Sequence, residues 1–474
     1  PALRSALEDE DVSIASWSAR AVGILADGES VPRLLELAKR AEPSCAIEAL
    51  LALEKIGVKT KLPETARQLA LTRVREAVPG IALSALKLLG RFPSDAECIA
   101  VLSRTAADTG RRGAIALVSL MTADPEHAAE ALERALSTGA LPLRLAAAEA
   151  VYLAPSDDRQ PALVRALQRD ISARVRALLV SGVPAERAQE FKEIIVRSLS
   201  DPDAAVRSSA LEVAAPLLDA AAAEPHADLE KAWRDAYERA FREKESDFIV
   251  GALDAAATWK KGGRALIEAR VDDPDAVVRG KARRLMVEKF ETAADRFLPD
   301  PVATRLTKAD YRRLARRANE TLLVASVTTT RGTFELSLDT EEAPLTAENF
   351  RALAARRFFD GIVIHRVVPD FVAQAGDPRG DGSGGPGYSI RDEINPLRYT
   401  RGALGMALSG PDTGGSQWFV TLSPQPHLDG GYTVFGRVAS GEPVLDLIEQ
   451  DDVLRSVVIR EAARPQPPPG ATDR

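Results

Sequence analysis

The residues change grammar partway along the chain, and that change limits the fold more than any single motif. Up to about residue 290, alanine and leucine dominate, while glycine and aromatic residues are sparse. From about residue 320 to 460, glycine, β-branched and aromatic residues are frequent, with turn clusters between them. Between the two regions Phe297-Leu-Pro-Asp-Pro-Val302 carries two prolines, which lack backbone donors and interrupt any helix. The boundary is therefore placed there. The expected parts are a helical region 1–298, a linker 299–319, a strand-rich domain 320–462 and a tail 463–474. The tail holds Arg464-Pro-Gln-Pro-Pro-Pro-Gly470 and is expected to be extended. A length of 474 residues exceeds one ordinary compact domain, so a multidomain chain is the expectation.

The first region reads as short amphipathic helices. Ala82, Leu83, Leu86 and Leu89 share one face at helical spacing, as do Leu145, Ala148, Val151 and Tyr152. A phrase recurs along it: Asp201-Pro-Asp-Ala-Ala-Val-Arg207 returns as Asp273-Pro-Asp-Ala-Val-Val-Arg279. Weaker copies stand at Asp170-Ile-Ser-Ala-Arg-Val-Arg176 and around Leu143-Arg144, and Asp9-Glu-Asp-Val12 with Ala15 and Ala19 looks like an earlier member. The arginine steps are about 31 to 32 residues and then about 72, or two units of about 36, which suits a helical-repeat array. In this phrase the first aspartate is expected to cap a helix, the proline to occupy its first turn and the valine to face the core. Arg207 and Arg279 either reach an aspartate of a neighbouring repeat, forming a ladder, or are simply solvated. The phrase resembles HEAT-type repeats, and that resemblance implies an α-solenoid presenting a curved surface to a protein partner.

Composition excludes several functions. The net charge is −7, which argues against a general nucleic-acid binder. No apolar run is long enough to cross a bilayer. His127, His226, His365, His427, Cys45 and Cys98 have no familiar zinc-ligand spacing, so neither a metal nor another cofactor is expected. Cys45 and Cys98 either pair in an oxidising compartment or stay as buried thiols. The chain opens at Pro1 without methionine, which suggests a processed or trimmed chain, and the compartment stays open between cytoplasm and, with a signal removed, periplasm or exterior. Lys231, Arg234, Arg239, Arg242 and Lys244 alternate with Asp235, Glu238, Glu243 and Glu245, which reads as a solvated face with local ion pairs. Lys308, Arg312, Arg313, Arg316 and Arg317 read as a solvated linking helix.

The second region turns to strands. Leu323–Thr329 and Phe334–Leu338 flank Thr330-Arg-Gly-Thr333 as a hairpin. Thr346 is expected to cap a helix to about Arg356, and Pro443 to begin a second through Ile448. Further strands are expected at Gly361–Val368, Gly405–Ala407, Trp418–Leu422 and Tyr432–Val438, with a glycine loop from Gly376 to Tyr388. Several strands with only two helices suggest a closed antiparallel barrel whose ends the helices cap.

Four blocks in this region, Phe358-Phe-Asp-Gly361, His365-Arg-Val-Val-Pro-Asp-Phe-Val-Ala-Gln-Ala-Gly-Asp377, Gly415-Ser-Gln-Trp-Phe419 and Leu428-Asp-Gly-Gly-Tyr-Thr-Val-Phe-Gly436, resemble cyclophilin-type peptidyl-prolyl isomerases in order and spacing. The resemblance covers about residues 320 to 460. It implies catalysis of X–Pro rotation, a step that is slow because amide resonance sets a barrier of roughly 18–20 kcal/mol. It places Arg366 beside the prolyl nitrogen, which gains a lone pair as the amide twists. It gives Phe371, Val372, Phe419 and Leu428 the apolar pocket, Gln374 a substrate carbonyl, and Gln417 the peptide or Arg366. The Ala407-Leu408 segment would offer backbone groups, while Gly382, Gly384 and Gly385 would let the peptide approach closely.

Departures from the family pattern are Val372 for methionine, Leu408 for asparagine, Tyr432 for histidine and His427 where tryptophan is common. The last puts tight cyclosporin binding in doubt, and His427-Leu-Asp-Gly-Gly-Tyr432 resembles bacterial members. His365 reads as a packed core histidine, and Ser416 lacks any nucleophile motif. The expectation is therefore a HEAT-like α-solenoid joined to a cyclophilin-like isomerase acting on proline-containing protein segments. The alternative is a non-catalytic proline-peptide-binding scaffold.

Overall fold

The structure is a computed structural model describing residues 1–153, 159–219, 227–243, 246–293, 297 and 307–463. The chain divides into two compact units, Pro1–Leu298 and Pro299–Arg474. The two-proline linker and the tail beyond 463 lie outside the described residues, as do His226 and Lys244.

The first unit is helical. Helices Val12–Ile24, Pro43–Gly57, Pro79–Leu89, Arg111–Ala123, Leu141–Ala150, Ala173–Ser181, Ala204–Asp219, Ser246–Thr258 and Ala276–Phe290 each pack against the next in one row. The intervening helices, such as Glu64–Arg73 and Lys192–Leu199, lie against that row as a second layer. Small residues make the close approach possible: Ala19, Ala46, Ala49, Ala85, Ala116 and Ala147 are fully buried. A Cβ on Gly23 would stand 2.8 Å from the Cα of Ala52, so that crossing admits only glycine. A single apolar core runs from Leu7 to Met286, with Trp233, Tyr237 and Trp259 as its aromatic centre.

The recurring phrase works differently from expectation. The second aspartate is the cap: Asp203 accepts from Ala205 N–H at 2.9 Å, and Asp275 from Val277 N–H at 2.8 Å. The first aspartate instead accepts the N–H of the second, at 2.9 Å in both copies, and the proline between them precedes the helix. This is the physical advantage of two carboxylates: one builds the turn and the other meets the free donors of the helix start. The arginines bridge neighbours. Arg144 reaches Asp170 at 2.5 Å, and Arg176 holds Asp201 with two bonds of 2.8 Å. Arg207 is paired with Glu243 and also bonds the carbonyls of Asp201 and Pro202, whereas Arg279 bonds the carbonyl of its own Asp273. In helix Ala227–Glu243, Lys231–Asp235, Arg234–Glu230 and Arg239–Glu243 form the local pairs expected. Cys45 and Cys98 are buried thiols that form no disulfide, and burial pushes the Cys98 thiol up to about 12.

The second unit is an eight-stranded antiparallel sheet with helix Pro344–Ala355 against it. Its strands are β1 (Thr321–Thr329), β2 (Gly332–Leu338), β3 (Arg366–Val368), β4 (Val372–Ala375), β5 (Ala403–Met406), β6 (Trp418–Thr421), β7 (Val434–Ser440) and β8 (Leu454–Ala463), in the order β3-β4-β6-β5-β7-β2-β1-β8. The expected closed barrel is corrected to a half-barrel, because the terminal strands β3 and β8 share no ladder. The residues just ahead of the two strands meet at the bridge Val363–Val453, flanked by bonds such as Gly361 N–H to Leu454 carbonyl at 2.7 Å. The residues expected as one strand from Gly361 to Val368 are therefore a bridge followed by a three-residue strand. β8 has no counterpart in the sequence reading.

The helix boundaries also differ. Thr346 lies inside Pro344–Ala355 and does not cap it. The carboxylate of Glu393, distant in sequence, accepts Leu345 N–H, Thr346 N–H and the Thr346 hydroxyl at 2.8 to 3.0 Å. The second expected helix is a short 3₁₀ turn, Glu442–Leu447, and the linking helix spans Lys308–Glu320, buried at Leu314. No helix among the described residues is long and apolar enough to cross a membrane, and none of their His, Cys, Asp and Glu groups is arranged to hold a metal.

Alternation along the strands divides the sheet residues between two clusters. Ala373, Ala375, Leu404, Met406, Trp418, Val420 and Phe435 point into a core completed by Phe350 and Phe359. Val372, Ala403, Phe419 and Val434 point the other way, into a separate apolar cluster with Tyr399 and Leu428.

Candidate active site

The second cluster lies on a face that also carries a polar row. Ladder register sets Arg366 opposite Gln374, Gln374 opposite Phe419, Phe419 opposite Gly405 and Gly405 opposite Val434. Directly opposed residues share a face. A cation, an amide and an aromatic ring thus stand side by side, though they come from three different strands.

Hydrogen bonds tie this row to the glycine loop. Arg366 Nη1 donates to Gln374 Oε1 at 3.5 Å, a long contact. Gln374 Nε2 donates to Gln417 Oε1 at 3.0 Å, and Gln417 Nε2 donates to the carbonyls of Gly382 and Gly384 at 2.8 and 2.9 Å. The loop itself is anchored by Asp377, which accepts the N–H groups of Arg379, Asp381 and Gly382 at 2.6 to 2.9 Å. Gly382 has φ +92, which is the conformational reason for glycine there.

Aromatic layers form the rest. The Arg366 guanidinium lies 5.4 Å from the centroid of the Phe371 ring, and the His427 ring stacks on Phe371 at 5.6 Å. Phe419 stacks on the fully buried Tyr399 at 5.5 Å and meets Tyr432 edge-on at 6.2 Å. Tyr399 donates its hydroxyl to the Thr433 carbonyl at 3.1 Å, and burial holds that phenol well above the usual tyrosine range. Partial desolvation draws the Arg366 guanidinium below its ordinary value, but arginine keeps its charge in proteins.

The residues singled out from sequence sort as follows. Arg366, Gln374, Gln417, Phe371, Val372, Phe419, Leu428, His427, Tyr432 and Gly382 converge on this face. Ala407 packs beside the same cluster, yet its N–H is already bonded to the Gln417 carbonyl at 3.1 Å. The Leu408 side chain packs on the other cluster, against the core. Gly384 is required by its own loop, since a Cβ there would meet Asp377 Oδ1 at 2.1 Å. His365 is buried, and buried Ser416 donates to the Gly376 carbonyl at 2.7 Å.

Sequence reasoning missed Tyr399, Gly405 and Asp377. Gly405 was readable only as a strand residue, whereas the structure shows that a Cβ there would lie 2.4 Å from Phe419 Cζ and 2.6 Å from the Tyr399 hydroxyl. The row leaves a gap at this position, and Phe419 fills it.

Comparison with known proteins gives the family of this domain. Residues 324–468 match the family model for cyclophilin type peptidyl-prolyl cis-trans isomerases. A peptidyl-prolyl cis-trans isomerase of Helicobacter pylori is 46% identical over 28% of this chain and 85% of its own length. Peptidyl-prolyl cis-trans isomerase B of Bacillus subtilis is 50% identical over 26% of this chain and 87% of its own. A crystal structure of a Cryptosporidium parvum cyclophilin type isomerase aligns at 32% identity over 29% of this chain and 98% of its own, with a TM-score of 0.28. The strand-rich domain is thus of the proline-isomerase class. The chain is a member of the cyclophilin-type peptidyl-prolyl cis-trans isomerase family through its C-terminal domain, an enzyme preceded by a helix-rich region.

Proposed function

We propose that the face carrying Arg366, Gln374 and Phe419 rotates X–Pro bonds in flexible protein segments, with Arg366 stabilising the twisted amide. The cross-strand row is the observation that carries this reading. The pyrrolidine ring would rest on Phe419, flanked by Phe371, Val372 and Leu428. Gln374 would donate to a substrate carbonyl, which fixes one side of the bond while the other turns. As the amide leaves planarity its nitrogen becomes a hydrogen-bond acceptor, and the guanidinium beside it offers a donor that the planar ground state cannot use. No covalent bond breaks, and no group need change its protonation state. Ala407, Leu408, Gln417, Gly382, His427 and Tyr432 would border the extended peptide.

The helical unit, in this reading, is a HEAT-like solenoid that binds or positions a protein partner. Support comes from its two stacked layers and the arginine bridges that repeat at the phrase period. The test is isomerisation of a short X–Pro peptide by the full chain and by its Arg366→Ala variant. Activity that collapses with the substitution upholds the assignment. Equal activity in both proteins would remove Arg366 from the mechanism.

A further inference from the structure

The turn that leads into Phe371 is held by side chains that the isomerisation reading leaves unused. Gln425 is fully buried, and its Nε2 donates to the Asp370 carbonyl at 3.0 Å and to Ser423 Oγ at 2.7 Å. Buried Ser423 donates to the same carbonyl at 2.7 Å. A carbonyl only accepts, so the amide nitrogen of Gln425 must be the atom that faces it. Asp370 has φ +55, a left-handed conformation disfavoured for a residue with a Cβ, and these two donors fix its carbonyl there. The next residue is Phe371, whose own carbonyl accepts Leu422 N–H at 2.8 Å.

The backbone of Gln425 ties down the rest of the cleft. Its N–H donates to the Tyr399 carbonyl at 2.7 Å, and its carbonyl accepts Leu428 N–H at 3.0 Å. The short turn Pro426–Leu428, which carries His427, starts directly after it. One buried glutamine therefore connects the turn under Phe371, the floor at Tyr399 and the turn bearing His427 and Leu428.

We infer that Gln425, with Ser423 as second donor, is a positioning residue that sets where the Phe371 ring stands between the Arg366 guanidinium and His427. This rests on the reading of Phe371 as a wall of the proline pocket. Such a wall touches the ring in the planar and the twisted amide alike, so displacing it weakens ground state and transition state together. The signature is a raised KM at unchanged kcat, which separates it from loss of Arg366, where kcat falls.

The experiment measures kcat and KM of the full chain toward a short X–Pro peptide for the unmodified protein, Gln425→Met, Ser423→Ala and Phe371→Ala. Gln425→Met keeps the length and removes both donor bonds; its KM is expected to rise about tenfold, the equivalent of losing one or two buried hydrogen bonds. Ser423→Ala removes one donor and is expected to raise KM about threefold. In both, kcat stays within about twofold. An unchanged KM, with kcat falling only as the folded fraction falls, would make the contact merely structural and overturn the inference. Should Gln425→Met not fold, Ser423→Ala decides alone. A Phe371→Ala variant with unchanged KM would instead overturn the pocket reading, and the inference with it.

Discussion

The bridging arginines of the helical unit and Arg366 of the sheet unit are held in opposite ways. In the helical unit Arg144, Arg176 and Arg207 are each paired with a carboxylate further along the chain, and Arg73 bonds the carbonyl of Ala38 at the end of helix Val31–Leu37. In the sheet unit Arg366 faces a glutamine oxygen at 3.5 Å and an aromatic ring, and forms no ion pair among the described residues. A guanidinium neutralised by its neighbours stabilises a fold. In the proposed mechanism, one held by weak, neutral partners keeps its field for a substrate, because little has to be displaced before it acts. The difference teaches where to look for chemistry in an arginine-rich chain: for the arginine that is positioned without being paired.

Breaking the helical side of this comparison should give the largest effect. Trp233 is fully buried, stacks on Tyr237 and donates to the Leu211 carbonyl at 2.9 Å. Trp233→Ala is expected to cost about 3–5 kcal/mol in denaturant unfolding of the helical unit, while kcat/KM toward a short X–Pro peptide is unchanged. On the other side, Arg366→Ala is expected to lower kcat about 100-fold with no shift of the unfolding midpoint. Arg366→Lys should recover only part of it, since a point charge lacks the guanidinium fork.

Gly405→Ala sharpens the comparison from within the pocket. The added methyl drives Phe419 off Tyr399, so KM should rise on the order of tenfold, read by the same peptide assay. Arg176→Ala should cost about 1–3 kcal/mol of unfolding free energy, since Asp201 loses both of its bonds to that guanidinium at a half-buried site, and it should leave activity alone. The smallest effect is a pH term. Arg4 and Ser30 hold the Asp27 carboxyl at about 2, below its ordinary 3.8. The stabilisation is complete above the ordinary value and is lost as the pH falls through about 2. Asp27→Asn should erase that dependence in acid unfolding followed by circular dichroism.

Much of this was legible because the signals are local. The alanine–leucine periodicity, the Asp-Pro-Asp phrase and its arginine depend on residues within one or two turns, and they appear as capped, bridged helices. Even there, which aspartate caps was decided by the backbone: the phrase folds into a turn before the helix begins, so the proline stands two positions earlier relative to the helix than spacing suggests. The site blocks were readable as motifs, and Arg366, Gln374 and Phe419 share a face because ladder register sets them opposite one another, with Phe371 joining them from the turn before β4. Gln425 and Tyr399 gave no signal, since their importance lies in bonds to Asp370, Ser423, Leu428 and Thr433 that turns and strand packing bring within reach.

By itself the amino-acid sequence determined that this protein has a helical part and a strand part, and that the strand part carries the cyclophilin-type motifs. Those properties follow from periodicity, turn residues and short motifs, all of which act over a few residues. Tertiary structure alone decided that the strands form a half-barrel, that Glu393 caps a helix far from it in sequence, and that Gly405 leaves room for Phe419. Each of these depends on register and close approach between segments tens of residues apart. Contacts of that kind are set by how whole surfaces fit together, and no local pattern encodes them.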